Sequence, residues 1–135
     1  MLDNRSKFEY LANQWISLWN SPLDLNLFDE LHSDDFIDLS SSGRPSDKNG
    51  FKEGILKLLN AFPDLQTNVD DILIDFEKSQ IAVRWHSIGI NKQKYLGIGP
   101  TEKLTKITGI EIIEIKEDKI VKRWGEWDIL DHLNK

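Results

Sequence analysis

The feature that most constrains this chain is a change of hydrophobic period at Pro63. Before it, apolar residues recur every three or four positions, as one face of a helix requires; after it, they alternate, as a half-buried strand requires. From Asp3 to Asn20 the apolar set Phe8, Leu11, Ala12, Trp15, Ile16 and Trp19 makes one helical stripe. Asp3 or Asn4 can cap its start, and Ser21-Pro22 stops it. A second short helix is expected from Asp24 to Leu31, with Leu25, Leu27, Phe28 and Leu31 inward, and a short strand from Phe36 to Leu39. Ser40 to Asn49, rich in Ser, Gly, Pro and Asp, reads as a loop. Asn49 then caps a third helix, Gly50 to Asn60, which ends ahead of Pro63.

Beyond Pro63, Leu65 to Glu77 carries Val69, Ile72, Ile74 and Phe76 in near-alternation, and Ile81, Val83 and Trp85 alternate with Ala82, Arg84 and His86. Ile107 to Ile115 and Ile120 to Ile129 are β-branched runs separated by a turn at Glu117-Asp118-Lys119. Helices first and four long adjacent strands afterwards predict an α+β fold, a mainly antiparallel sheet with helices on one face. At 135 residues, without an internal repeat or a linker, the chain reads as a single domain, 1–135.

The net charge of −6, with both signs interleaved, disfavours nucleic acid, which calls for a basic stripe. Lys116 to Lys122 is interrupted by Glu117 and Asp118 and reads as a solvated hairpin end. There is no cysteine, hence no disulfide framework and no thiolate chemistry. No stretch approaches the roughly 20 apolar residues of a membrane span, and no signal-length apolar run opens the chain, so a cytoplasmic protein is expected. His32, His86 and His132 are scattered, with no His-x-His spacing, and predict no metal site.

The order Ala61-Phe62-Pro63-Asp64-Leu65, Ala82-Val83-Arg84-Trp85, Tyr95-Leu96-Gly97-Ile98-Gly99-Pro100-Thr101, Thr108-Gly109-Ile110 and Asp118-Lys119-Ile120-Val121-Lys122-Arg123-Trp124, with Asp128 four residues on, resembles the SnoaL-like branch of the NTF2-like superfamily. The resemblance implies a half-cone, three N-terminal helices closing a curved sheet around a ligand cavity, and a cofactor-free polyketide cyclase or related chemistry. It also implies a homodimer joined through the outer face of the sheet.

Trp124-Gly125-Glu126-Trp127-Asp128 is the sharpest constellation. In the cyclases an aspartate near this end of the last strand is the general acid/base, which makes Asp128 the first catalytic candidate. A carboxyl group in an apolar cavity has its pKa raised, because burial disfavours the charged form. Glu111 and Glu114 lie in an Ile-rich strand and point to opposite faces, so at most one enters the cavity; alternation does not say which. His86 is a third acid/base candidate, although the apolar face of Ile81, Val83 and Trp85 favours an outward orientation for it. Trp15, Trp19, Phe62, Trp85, Tyr95, Trp124 and Trp127 come from elements around the cone and suit a flat apolar ligand held by stacking. Tyr95 and Tyr10 are candidate donors to an enolate or carbonyl oxygen.

Some polar groups of the relatives are missing. Gly89-Ile90-Asn91 stands where many read Gly-Thr-His, and Pro100-Thr101-Glu102-Lys103 where many read Pro-Thr-Gly-Arg. Aligning Asp34-Asp35 with the Asp pair of ketosteroid isomerases puts their base near Ser40, which disfavours that branch. Two readings follow: a cyclase or isomerase with Asp128 as acid/base, and a non-catalytic binding module for a small hydrophobic molecule. The enzyme is preferred. Asp128 on the outer surface would sink its catalytic assignment and put the binding module ahead.

Overall fold

The computed structural model describes residues 3–133. Helix α1 (Asn4–Ile16) is followed by a 3-10 turn (Ser17–Trp19), α2 (Leu25–Leu31), strand β1 (His32–Asp38) and α3 (Lys48–Ala61). Four strands come next, β2 (Gln66–Asp75), β3 (Gln80–Ile90), β4 (Leu104–Lys116) and β5 (Lys119–Trp127), then a short helix, α4 (Ile129–Leu133). The strands form one sheet in the order β1-β5-β4-β3-β2. β1 runs parallel to β5, and every other pair is antiparallel.

The helical stripe read from α1 buries Ala12, Trp15 and Ile16 against β2 and β3. Asp3 caps the helix by accepting from the Ser6 N–H. α3 begins earlier than expected: Asp47, not Asn49, is its cap, accepting from the Gly50 N–H. The loop before α3 lies tightly on that helix. A Cβ at Gly50 would strike the Pro45 carbonyl, and one at Gly54 would sit 2.7 Å from Arg44 Nε. These two glycines, one turn apart, form the groove that holds Arg44 and Pro45. The fourth helix has no counterpart among the expected elements, and the strand expected over Phe36 to Leu39 begins four residues earlier and runs parallel to β5.

The sheet buries one face of each strand under the helices. On β3 that face is Ile81, Val83, Trp85 and Ser87; on β4 it is Thr105, Ile107, Glu111, Ile113 and Ile115. Two β-bulges change the phase elsewhere. In β2, Val69 pairs with Trp85 and Asp71 with Arg84, so Asp70 is an extra residue, and the inward set steps from Val69 to Ile72. In β5, Ile120 pairs with Ile115 and Lys122 with Glu114, leaving Val121 as the extra residue. Its consequence is decisive for the site. Strict alternation from Ile120 would turn Lys122, Trp124 and Glu126 inward; the bulge turns in Arg123, Gly125 and Trp127 instead.

Candidate functional site

A cavity of about 280 Å³ opens between α3, the 3-10 turn and the buried face of β3, β4 and β5. Its apolar wall is Ile16, Trp19, Phe51, Ile55, Leu58 and Trp127, with Leu39 at the loop side. Tyr95, from the β3–β4 connection, packs edge-on against Trp127 with ring centroids 6.3 Å apart. Trp85 forms part of the floor. A Cβ at Gly109 would overlap the Trp85 indole, so this glycine is what lets the ring lie across β4.

The opposite wall is ionic. Arg123 Nε donates to Glu111 Oε1 at 2.7 Å, and Arg123 Nη1 donates to Asp38 Oδ1 at 3.0 Å. Arg44 Nη2 donates to the other Asp38 oxygen at 2.8 Å. Trp85 Nε1 donates to Glu111 Oε2 at 3.4 Å, and the Ser40 N–H donates to Asp38 at 3.0 Å. The result is an alternating chain, Glu111–Arg123–Asp38–Arg44, whose formal charges sum to zero. Arg123 also lies over the Phe51 ring, 5.3 Å from its centroid. A Cβ at Gly125 would overlap both Glu111 oxygens and Arg123 Nη2, so the ion pair rests directly on the β5 backbone.

Glu111 is 3% exposed, and desolvation raises its pKa above the usual carboxylate range. The charge and hydrogen bond of Arg123 and the Trp85 N–H oppose that rise without cancelling it. Burial likewise raises the Tyr95 hydroxyl, while the charges of Arg44 and Arg123 act against the rise.

Asp128 does not enter the cavity. Its carboxylate, on the outer face, accepts from the Thr108 N–H at 2.8 Å, the Thr108 hydroxyl at 2.9 Å and His132 Nε2 at 3.0 Å. Slight desolvation raises its pKa, but these bonds outweigh it and hold the group below the usual range, opposite to what an acid/base near neutrality requires. His86 also faces outward, with Nδ1 2.8 Å from Asp70. The reason is phase: β3 turns its odd-numbered residues inward, and β5 beyond the bulge turns in Trp127 rather than Asp128. Trp124 is corrected on the same ground, since it pairs with Ile112 on the outer face and borders no part of the cavity.

Of the other aromatic candidates, Trp19, Trp85 and Tyr95 line the cavity. Trp15 and Phe62 are fully buried behind it. Trp15 stacks on Phe51 and donates its indole N–H to His32. Phe62 meets Tyr95 edge-on. Tyr10 is exposed and borders nothing in the site. The ionic wall was missed apart from Glu111. A signal existed for Asp38, which lies two residues from Phe36 on one strand face; Arg123, next to Lys122 in the sequence, carried none. Among the described residues no three His, Cys, Asp or Glu side chains are grouped to hold a metal ion.

No curated protein matches the sequence. Solved structures with this fold are plentiful. TsrD from Streptomyces laurentii superposes with a TM-score of 0.83 at 19% identity, over 96% of this chain and 93% of that one. IdmH from Streptomyces antibioticus gives 0.80 at 21% identity, over 94% and 96%. A SnoaL-like polyketide cyclase from Agrobacterium tumefaciens gives 0.69 at 20% identity, over 96% and 94%. Identities this low establish the shared fold and nothing finer. The family model of SnoaL-like polyketide cyclases matches residues 9–134. With that match spanning nearly the whole sequence, the chain belongs to the SnoaL-like polyketide cyclase family.

Proposed function

We propose that this chain is a cofactor-free acid/base enzyme of the cyclase or isomerase kind, with Glu111 rather than Asp128 as the proton-transferring group. Its substrate is a small apolar carbonyl compound held in the 280 Å³ cavity. One observation carries the reading: a carboxylate almost sealed from solvent borders that cavity with its pKa raised. A buried ion pair is expensive to maintain and is weak support for stability, so a catalytic use accounts for its presence better. With Asp128 on the outer face the binding module would lead, but Glu111 supplies a different acid/base group at the cavity wall and keeps catalysis ahead, with binding without turnover as the second reading. That second reading is favoured by the engagement of both Glu111 oxygens, one with Arg123 and one with Trp85.

The test compares Glu111→Gln and Asp128→Asn on a panel of enolisable ketones and β-keto esters. Glu111→Gln is expected to lower kcat by roughly 10²-fold or more, while tryptophan fluorescence still reports ligand binding. Asp128→Asn is expected to keep activity within about threefold, since no reacting atom reaches it. Binding to wild-type protein with no turnover anywhere in the panel would leave the binding module as the function. Loss of activity in Asp128→Asn with full activity in Glu111→Gln would reverse the assignment.

The proposal includes a homodimer. The outer sheet face carries Leu73, Ile110 and Ile112 at 67%, 53% and 37% exposure, an apolar patch that a second copy would cover.

A further inference from the structure

We infer that Arg44 and Tyr95 form an oxyanion site, and that the cavity therefore selects neutral enolisable carbonyl compounds over carboxylic acids. This rests on Glu111 acting as the base. Arg44 is held on two sides: Nη2 is bonded to Asp38, and Nε is sealed beside Gly54 with no hydrogen-bond partner. Nη1 makes no hydrogen bond among the described residues, and the side chain, 28% exposed, borders the cavity. The Tyr95 hydroxyl likewise has no partner among the described residues, while Phe62 and Trp127 fix its ring edge-on from two directions. Arg44 and Tyr95 line the same cavity, so the two free donors open onto one space. Donors held in place before the reaction stabilise developing charge without having to reorganise.

The charge balance identifies what the site receives. Glu111, Arg123, Asp38 and Arg44 sum to zero when all are ionised. A neutral ketone enters without changing that sum. The α C–H bond breaks, its proton passes to a Glu111 oxygen, and its electron pair forms the C=C bond of an enolate. The carbonyl oxygen becomes the anion, held by Arg44 Nη1 and the Tyr95 hydroxyl. Glu111 is then neutral and the enolate has taken over its charge, so no net charge has been buried. Returning the proton to carbon restores the starting state. A carboxylate ligand would instead add a negative charge beside ionised Glu111, at a cost that grows as the dielectric falls.

Deuterium exchange at the α-carbons of 2-tetralone, followed by NMR on the full chain, tests the inference. Tyr95→Phe and Arg44→Gln are each expected to lower kcat by roughly 10²-fold, with KM moving less. Arg44→Lys should recover part of the loss, since it keeps the charge. Tyr95→Phe removes a hydroxyl without a partner and so leaves the fold intact, even if Arg44→Gln unfolds by stranding Asp38. 2-Naphthol, a stable neutral enol, should bind about tenfold or more tighter than 2-naphthoate. Wild-type kcat in Tyr95→Phe and Arg44→Lys, with exchange abolished in Glu111→Gln, would overturn the oxyanion site and leave Glu111 standing. So would equal or tighter binding of 2-naphthoate. Exchange by wild-type protein no faster than buffer, or undiminished in Glu111→Gln, would overturn the acid/base reading and this inference with it.

Discussion

His32 shows how far a single environment departs from what residue type implies. Its position at the α2–β1 junction carries no motif, yet it is buried, with Nδ1 2.7 Å from the Phe28 carbonyl and Nε2 accepting from Trp15 at 2.9 Å. That pattern fixes a neutral ring protonated on Nδ1, because Nε2 must accept. Burial lowers its pKa from 6.5 to about 4. The unfolded chain therefore binds more protons between those two values, and stability falls as pH drops through that window. The loss should reach about 3 kcal/mol, read as a falling urea midpoint, and His32→Gln should flatten that part of the profile. Gly125 makes the complementary case, a residue defined by what it leaves out. Gly125→Ala puts a methyl group into the Glu111–Arg123 pair and is expected to cost about 3 kcal/mol in chemical denaturation. A cost below about 1 kcal/mol would mean that the pair shifts aside freely.

At the scale of the element, helices were easier to place than strand faces. A helical stripe averages over several turns, so one irregular residue hardly moves it. A strand face is inverted by one extra residue. The bulge at Val121 did this to β5, and it is why Trp124 and Asp128 face out while Arg123 and Trp127 face in. Nothing in Ile120-Val121-Lys122-Arg123 marks which residue is extra, because the pairing with β4 decides it. Helix starts are ambiguous in a milder way, since Asp47 and Asn49 are both good caps by type. Only Asp47 accepts the Gly50 N–H. Asp47→Ala should cost about 1 kcal/mol, and Asn49→Ala should stay within about 0.5 kcal/mol. Equal losses in thermal denaturation would contradict the cap.

At the scale of the whole molecule, the sheet separates two surfaces, a cavity side closed by helices and an outer side carrying an apolar patch. If the patch is covered by a second copy, Ile110→Lys should convert a dimer to a monomer near 15.7 kDa in light scattering, with the cavity untouched. A wild-type monomer at micromolar concentration would defeat that expectation. By itself the sequence determined the α+β class, the three main helices, the long strands and the family, because periodicity, capping residues and ordered motifs are local properties written along the chain. It also presented Glu111 as one of two carboxylates in a strand, of which at most one could face inward. The choice between them, and the whole ionic wall, were decided by tertiary structure. Asp38, Arg44, Glu111 and Arg123 come from β1, a loop, β4 and β5, and they meet only because β1 runs parallel to β5 and a bulge turns Arg123 inward. Side-chain facing across strands depends on long-range register, and register is set by pairing energies that no local window contains.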